Sequence, residues 1–437
     1  MSDNIVAIDL GTSHITGIVG EKKANGTFSI IAYETVETDS CVHRGIIYSS
    51  VNTANQVGSL IRKLEGHLKG DYIDMVYIGA GGQSLRTIDH VEKMDIAEGA
   101  FVTEKDINTL KERCEKFKPN LADVLGAAPS VYYLDGRKDK VAVGALCKQL
   151  EVHYKLVIGR LSIRQNIKNS IEAIPNKQLA GVIVSPLALA DAILSPQYKE
   201  LGCALVDFGA GVTSVSVYKG GDLKHLCVIP FGGRLITRDL TSLQLTEADA
   251  EILKKERGSA ILQNEDENEH VTIEMEGSER EIKMSDLNAI IEARTKEIVE
   301  NIYARICEVI ELRQLGAGIV LAGCAAELRN LPELMKEKFG LKIGFSTIQR
   351  GLVDNADEML GNPMYMMAIS LMLKGTERCV SRQIIQEIEI ATIEENVQEE
   401  KKPEKPPKAA PEIPQKKKGK ELKEKIKGWF DLFGEEE

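Results

Sequence analysis

Two aspartates, Asp9 and Asp207, each close an apolar run, and each is followed two residues later by glycine. The first run reads Val6-Ala7-Ile8-Asp9-Leu10-Gly11-Thr12-Ser13, the second Leu205-Val206-Asp207-Phe208-Gly209-Ala210-Gly211-Val212-Thr213. In both, an apolar strand ends in Asp-x-Gly, small residues follow, and a second strand begins. Such a tip suits phosphate, because glycine has no Cβ and lets backbone N–H groups approach phosphate oxygens closely. The hydroxyls of Thr12, Ser13 and Thr213 can donate further hydrogen bonds. The carboxylates would repel phosphate directly, but they can hold Mg²⁺ through water, since Mg²⁺ keeps several waters when it bridges to phosphates. Asp9 and Asp207 therefore read as a metal-side pair facing one nucleotide. Either turn alone is more readily an ordinary Asp-Gly hairpin. Two matched copies favour the phosphate reading, and a duplicated half-domain explains them most simply.

The elements that must position these tips alternate. Strand-like runs lie at 5–10, 15–19, 75–78, 182–184, 204–207, 212–218 and 318–322, and helical patterns near 53–68, 104–117, 247–257, 287–312 and 363–373. Strands alternating with helices predict an α/β fold, and 437 residues exceed what one core holds. The net charge of -11 argues against a general nucleic-acid binder. The 8 cysteines are scattered from Cys41 to Cys379 without a C-x-x-C pair, so disulfide frameworks and zinc ribbons are not expected. No basic leader precedes an apolar run, and no apolar stretch reaches the roughly 20 residues of a spanning helix. A reducing, cytoplasmic setting is the expectation.

The paired tips resemble the two phosphate motifs of the actin, sugar-kinase and heat-shock-chaperone ATPase superfamily. A third stretch, Ile319-Val320-Leu321-Ala322-Gly323-Cys324-Ala325-Ala326-Glu327-Leu328, resembles its adenosine-binding strand–turn–helix, with Cys324 where a second glycine is common. Ser185–Ala190 and Pro363–Ala368 resemble the two connecting helices. Finer marks are similar to the bacterial cell-division FtsA family: Gly232-Gly233-Arg234-Leu235-Ile236-Thr237-Arg238-Asp239, then Ala250-Glu251-Ile252-Leu253-Lys254 followed by Gly258. Glu251 and Lys254 share one helix face. In the superfamily that face covers the adenine, with carboxylate and ammonium reaching base and ribose. The alternative is an intrahelical ion pair on a solvated face.

The resemblance implies an actin-like two-lobed fold with duplicated βαβ cores. Lobe 1 would take residues 1–83, 162–200 and 363–393, and lobe 2 residues 201–232 and 315–362, with its small subdomain at 233–314. An FtsA-type insertion would occupy 84–161, with strands at 85–93, 131–135 and 152–158 and a helix at 104–117, and would contact other division proteins. Bound ATP and Mg²⁺ are implied, with Asp9, Gly11, Thr12, Ser13, Asp207, Gly209, Ala210, Gly211, Thr213, Gly233, Glu251, Lys254, Gly258, Gly323, Cys324 and Ala325 around the nucleotide. No carboxylate stands at Val184-Ser185-Pro186 to position an attacking water, and His14 is as readily a backbone partner, so hydrolysis should be slow at best. The catalytic residues stay unassigned.

Residues 394–418, rich in Glu, Lys and Pro, cannot bury enough apolar surface to fold and read as a disordered linker. In 419–437, Leu422, Ile426, Trp429, Phe430 and Phe433 form one apolar helical stripe flanked by Lys423 and Lys427. A basic amphipathic helix with aromatics suits an anionic membrane surface, although a groove on a partner or on the chain itself would also accept it. The resemblance further implies head-to-tail polymers and capture of the FtsZ C-terminal peptide, at the division site on the cytoplasmic face of the inner membrane. Its partner-binding stretch matches Ile290-Ile291-Glu292-Ala293-Arg294 and makes Arg294 the candidate contact; the alternative is an ion pair with Glu297 on the same helix face. Competing implications are a type IV pilus inner-membrane scaffold and a small-molecule kinase.

Overall fold

A computed structural model describes residues 3–275, 278–345, 347–356 and 358–382. The linker and the amphipathic stripe at Leu422, Lys423, Ile426, Lys427, Trp429, Phe430 and Phe433 lie outside the described residues.

The first sheet has 5 strands in the order Gln178–Val184, Met75–Ala80, Asp3–Leu10, His14–Lys22, Phe28–Glu37. Asp3–Leu10 pairs antiparallel with His14–Lys22 and parallel with Met75–Ala80. The lobe 2 part of the 9-stranded second sheet repeats this arrangement. Cys203–Phe208 pairs antiparallel with Thr213–Lys219, which pairs with Asp222–Ile229, while Gly318–Ala322 and Ile343–Phe345 add parallel strands on the other side. The two hairpins share one register: Leu10 faces Ile15 and Asp9 faces Thr16, as Phe208 faces Thr213 and Asp207 faces Ser214. The half-domain duplication read from two short motifs thus extends through both sheets.

Each sheet is apolar on the faces that meet helices. In lobe 1 the strand His14–Lys22 is buried over most of its length, and the helices Ser50–Gly66 and Pro363–Met372 cover it. Ser49 caps the first of these by accepting from the Asn52 amide, and Val57, Leu60, Ile61 and Leu64 form its buried face. In lobe 2, Leu287, Ile291, Ile298, Ile302 and Ile306 of the helix Met284–Cys307 do the same against a separate core. That helix ends at Cys307, five residues short of the pattern read from sequence; Leu312 opens a separate short turn, Leu312–Gln314.

The insertion contributes Arg86–Asp95, Asp123–Leu134, Arg137–Asp139 and Gln149–Gly159, covered by the helix Glu104–Lys116 over its own small core. Its sheet joins that of lobe 2 edge to edge, where Arg86 pairs with Cys227. The strand read at 131–135 begins instead at Asp123. Register shifts at His153/Tyr154 and Val157/Ile158 break its period-2 pattern, which hid its first half. The hairpin His270–Met275 with Ser278–Lys283 was not read as strands, because charged residues dominate its second strand.

Candidate functional site

The two tips face each other across a cleft of about 940 Å³, counting its open mouth. Residues 11–13 line one side and residues 209–212 the other, with Asp9 and Asp207 beneath them. In the first tip Gly11 is obligatory, since a Cβ there would lie 2.4 Å from the His14 carbonyl oxygen. Its carbonyl accepts from the Thr38 hydroxyl at 2.9 Å, and Thr12 Oγ1 accepts the Gly45 amide at 3.2 Å. His14 Nδ1 is hydrogen-bonded to Ser13 Oγ at 3.0 Å.

In the second tip the carbonyls are tied down from behind. Gly209 O accepts the Gly233 amide at 3.0 Å and Ala210 O the Arg234 amide at 2.8 Å. This docks the N-terminus of the helix Gly233–Leu240 onto the loop. It also explains the Gly232-Gly233 pair: a Cβ on Gly232 would sit 2.5 Å from Ala210 O, and one on Gly233 2.9 Å from the Ala325 Cβ.

The aspartates are the chemistry-bearing pair. Burial, together with the charge of Asp207, pushes the Asp9 carboxyl up to about 7. Burial raises Asp207 to about 6 against the lowering effect of the Ser214 hydroxyl, which donates to Asp207 Oδ2 at 3.4 Å. Two carboxylates in one cleft, both raised by burial and Asp9 also by the charge of Asp207, would be relieved by a cation between them. Their environment fits Mg²⁺, and the open cleft above them leaves room for its waters. Ser185 and Pro186, and Pro363 and Met364, bring the N-terminal turns of Ser185–Ile193 and Pro363–Met372 into the lining. Helix N-termini favour anions, and proline in the first turn gives up no helical hydrogen bond. Among the described residues lining the cleft, Asp9 and Asp207 are the only carboxylates, and no glutamine joins them.

The remaining candidates fall in two groups. Gly323 and Cys324 line the cleft; Gly323 has φ +85°, and a Cβ there would meet Asp207 Oδ1 at 2.6 Å, so the third motif needs its glycine at this position. Gly233, Glu251, Lys254, Gly258 and Ala325 lie outside the lining and form its support. Lys254 is 9% exposed, and its Nζ donates to Glu251 Oε2 at 2.6 Å, Thr237 Oγ1 at 2.8 Å and Gly233 O at 3.1 Å. Thr237 Oγ1 also donates to Glu251 Oε2. Burial lowers the Lys254 pKa. Burial raises that of Glu251, but Lys254, Thr237 and Lys255 together outweigh it and the net shift is downward. Gly258 closes the helix beneath, 2.5 Å from Lys254 O at its would-be Cβ.

One hydroxyl is displaced from its expected role. Thr213 is fully buried and donates to Phe231 O at 2.8 Å; the residue after it, Ser214, faces Asp207. The strand begins at Thr213, so alternation sends successive side chains to opposite faces. Sequence reasoning also passed over Thr16, Ser185 and the glycines Gly79, Gly81 and Gly82. The last three were legible as a Gly-Ala-Gly-Gly run closing an apolar strand. Arg294 ion-pairs with both Asp239 and Glu297, joining its helix to the Gly233–Leu240 helix.

A family model for "Cell division protein FtsA" matches residues 204–370. The FtsA of Porphyromonas gingivalis is 32% identical over 383 residues, covering 87% of this chain and 80% of that protein. The FtsA of Escherichia coli K12 is 28% identical over 392 residues, covering 85% and 90%. Among solved structures, a PilM–PilN type IV pilus biogenesis complex matches with a TM-score of 0.59 at 16% identity, covering 85% of this chain and 98% of that one. This last likeness is one of fold, and the fold is actin-like. By its similarity across most of its length to these cell-division proteins, the chain belongs to the FtsA family.

Proposed function

We propose that this actin-like division protein binds ATP with Mg²⁺ between its two tips and uses the bound state to polymerise and to hold FtsZ filaments at the membrane. The observation that carries the reading is the pair of registered hairpins, which set Asp9 and Asp207 beneath opposed glycine tips in one cleft. Mg²⁺ would sit by the two carboxylates, largely through water, and would neutralise phosphate charge. Residues 11–13 and 209–211 would hold phosphate, while the side bounded by Gly323 and Cys324 would take the nucleoside. Glu251 and Lys254 would act from behind, setting the wall through Gly233. Hydrolysis should be slow, because among the described lining residues no carboxylate besides the metal pair, and no glutamine, is available to position a water.

Tethering is proposed for the stripe Leu422, Ile426, Trp429, Phe430 and Phe433 with Lys423 and Lys427, at the cytoplasmic face of the membrane. Partner capture is proposed for the Met284–Cys307 helix, with Arg294 exchanging an internal carboxylate for one of the FtsZ C-terminal peptide. Among the described residues no helix is long and apolar enough to cross a membrane. The test is flotation of the full chain on anionic liposomes with labelled FtsZ C-terminal peptide added. The peptide should float only with the chain present; the reading fails if chain or peptide stays at the bottom.

A further inference from the structure

The inserted subdomain holds a cluster that the nucleotide cleft does not use. Along Arg86–Asp95, alternation turns Ile88, His90, Glu92 and Met94 to one face, the face covered by the helix Glu104–Lys116. On that helix Leu110 and Cys114, one turn apart, are fully buried against the sheet. An imidazole nitrogen of His90, a carboxylate oxygen of Glu92 and the Cys114 sulfur all lie within 4.8 Å of one another. The His90 and Glu92 side chains are 16% and 22% exposed, and His90 Nε2 is 2.8 Å from Glu92 Oε1. The Phe117 ring packs against His90, tilted, with centroids 4.4 Å apart.

A second observation points into the same place. Tyr154 stands directly across the ladder from His90, is 1% exposed, and its hydroxyl has no hydrogen-bond partner among the described residues. The charged or ionisable groups it senses are Cys114 first, then Tyr132, Glu92 and Glu115. A buried hydroxyl without a partner is destabilising, so a ligand that supplied one would be favoured.

We propose that His90, Glu92 and Cys114 bind Zn²⁺, with the Tyr154 hydroxyl serving a water in the fourth position, and so clamp the helix Glu104–Lys116 to its sheet. Imidazole, carboxylate and thiolate together suit zinc over the hard cations Mg²⁺ and Ca²⁺. Donors around a tetrahedral zinc sit about 3.3–3.8 Å apart at its usual bond lengths, so small side-chain rotations close the set. Binding replaces the His90–Glu92 hydrogen bond by two metal bonds, the proton of that bond passing to the other imidazole nitrogen or to solvent, and the Cys114 thiol gives its proton to solvent. The subdomain's core is small, and a metal joining helix to strand is the device small cores use.

The test uses the full chain without a histidine tag, stripped with chelator and titrated with Zn²⁺ or Co²⁺ alone. We expect one equivalent of Zn²⁺, a thiolate-to-cobalt charge-transfer band with Co²⁺, and slower hydrogen exchange across residues 104–116 on zinc addition. Cys114→Ser should abolish the band, while Cys307→Ser, an exposed thiol, should keep it. Tyr154→Phe should weaken zinc about 10-fold. Should Cys114→Ser not fold, His90→Gln carries the test, with an affinity loss of about 100-fold or more. No stoichiometric uptake, a band that survives Cys114→Ser, a band lost in Cys307→Ser, or unchanged zinc affinity in His90→Gln would overturn the proposal.

Discussion

Thr12 in the first tip stands so close to Gly211 in the second that a Cβ on Gly211 would lie 2.4 Å from Thr12 Oγ1. The two halves of the duplication therefore meet side chain to backbone at the cleft, and the spacing between tips is set by the absence of one methyl group. Any nucleotide held between the tips depends on that spacing.

Gly211→Ala should fold and lose Mg-ATP affinity by about 10-fold or more, since the methyl must push Thr12 aside and widen the cleft. Adding Thr12→Ser, which removes a methyl from the crowded neighbour, should restore part of the loss. A coupling of about 0.5–3 kcal/mol in the double-mutant cycle, read by calorimetry, is the range for residues in contact; additive effects would mean that the tips do not bear on each other.

Asp9 carries a pH dependence with a definite sign. Its folded pKa is raised from 3.8 to about 7 by burial and by Asp207, so the folded state binds the proton more tightly than the unfolded chain. The resulting stability is fully present below the unfolded value and is lost as pH rises through the window from about 4 to 7. Metal-free protein should thus be less stable at pH 8 than at pH 5.5, on the order of a few kcal/mol after allowing for solvent screening. Asp9→Asn should flatten that slope, raise the melting temperature of the metal-free protein at pH 8, and abolish the stabilisation that Mg-ATP gives the wild type. Thermal melts at both pH values, with and without Mg-ATP, provide the check.

Lys254→Met should destabilise the fold by about 1–3 kcal/mol, because it strips the ammonium from Glu251, Thr237 and Gly233 together. Nucleotide affinity should fall less than in Asp207→Ala, since Lys254 acts through the Gly233 turn. Urea denaturation and nucleotide titration of the same samples separate the two effects.

Trp429→Glu should abolish flotation with anionic liposomes and leave nucleotide affinity unchanged. Burying Trp429 and Phe430 at an interface contributes a few kcal/mol at roughly 25 cal/mol per Å², and each neighbouring Lys about 1 kcal/mol on an anionic surface. A single anchor of that size is reversible, so polymers that present many copies should bind far more tightly. Salt should weaken binding in part, because the apolar share is not screened.

What the sequence showed clearly was what short, strongly patterned segments encode. The two Asp-x-Gly tips, the strands leading to them and the helix at Pro363 were readable from glycine, proline and apolar patterning, while the helix at Pro186 entered through the family resemblance. Tertiary relationships were harder. Gly233 stands among the nucleotide-binding candidates through the family signature, yet its lack of a side chain serves the approach of Ala325. Glu251 and Lys254 have the spacing of a solvated pair, yet Lys254 is buried and braces a turn some twenty positions back in the chain at Gly233. Thr213 and Ser214 differ by one pleat, and only the start of the strand at Thr213 decides which hydroxyl faces Asp207. The register breaks in the insertion concealed half of the strand beginning at Asp123, since a bulge resets the two-residue period on which strand reading depends.

The central claim is that nucleotide binds between the two tips with its metal at Asp9 and Asp207. Calorimetric titration of Mg-ATP into the full chain, the Asp9→Asn variant and the Asp207→Asn variant tests it most directly. The account predicts one saturable site in the wild type, its affinity reduced at least about 10-fold in each variant and in the wild type when Mg²⁺ is chelated. Equal affinity in all three proteins, or no saturable binding to the wild type, would contradict it.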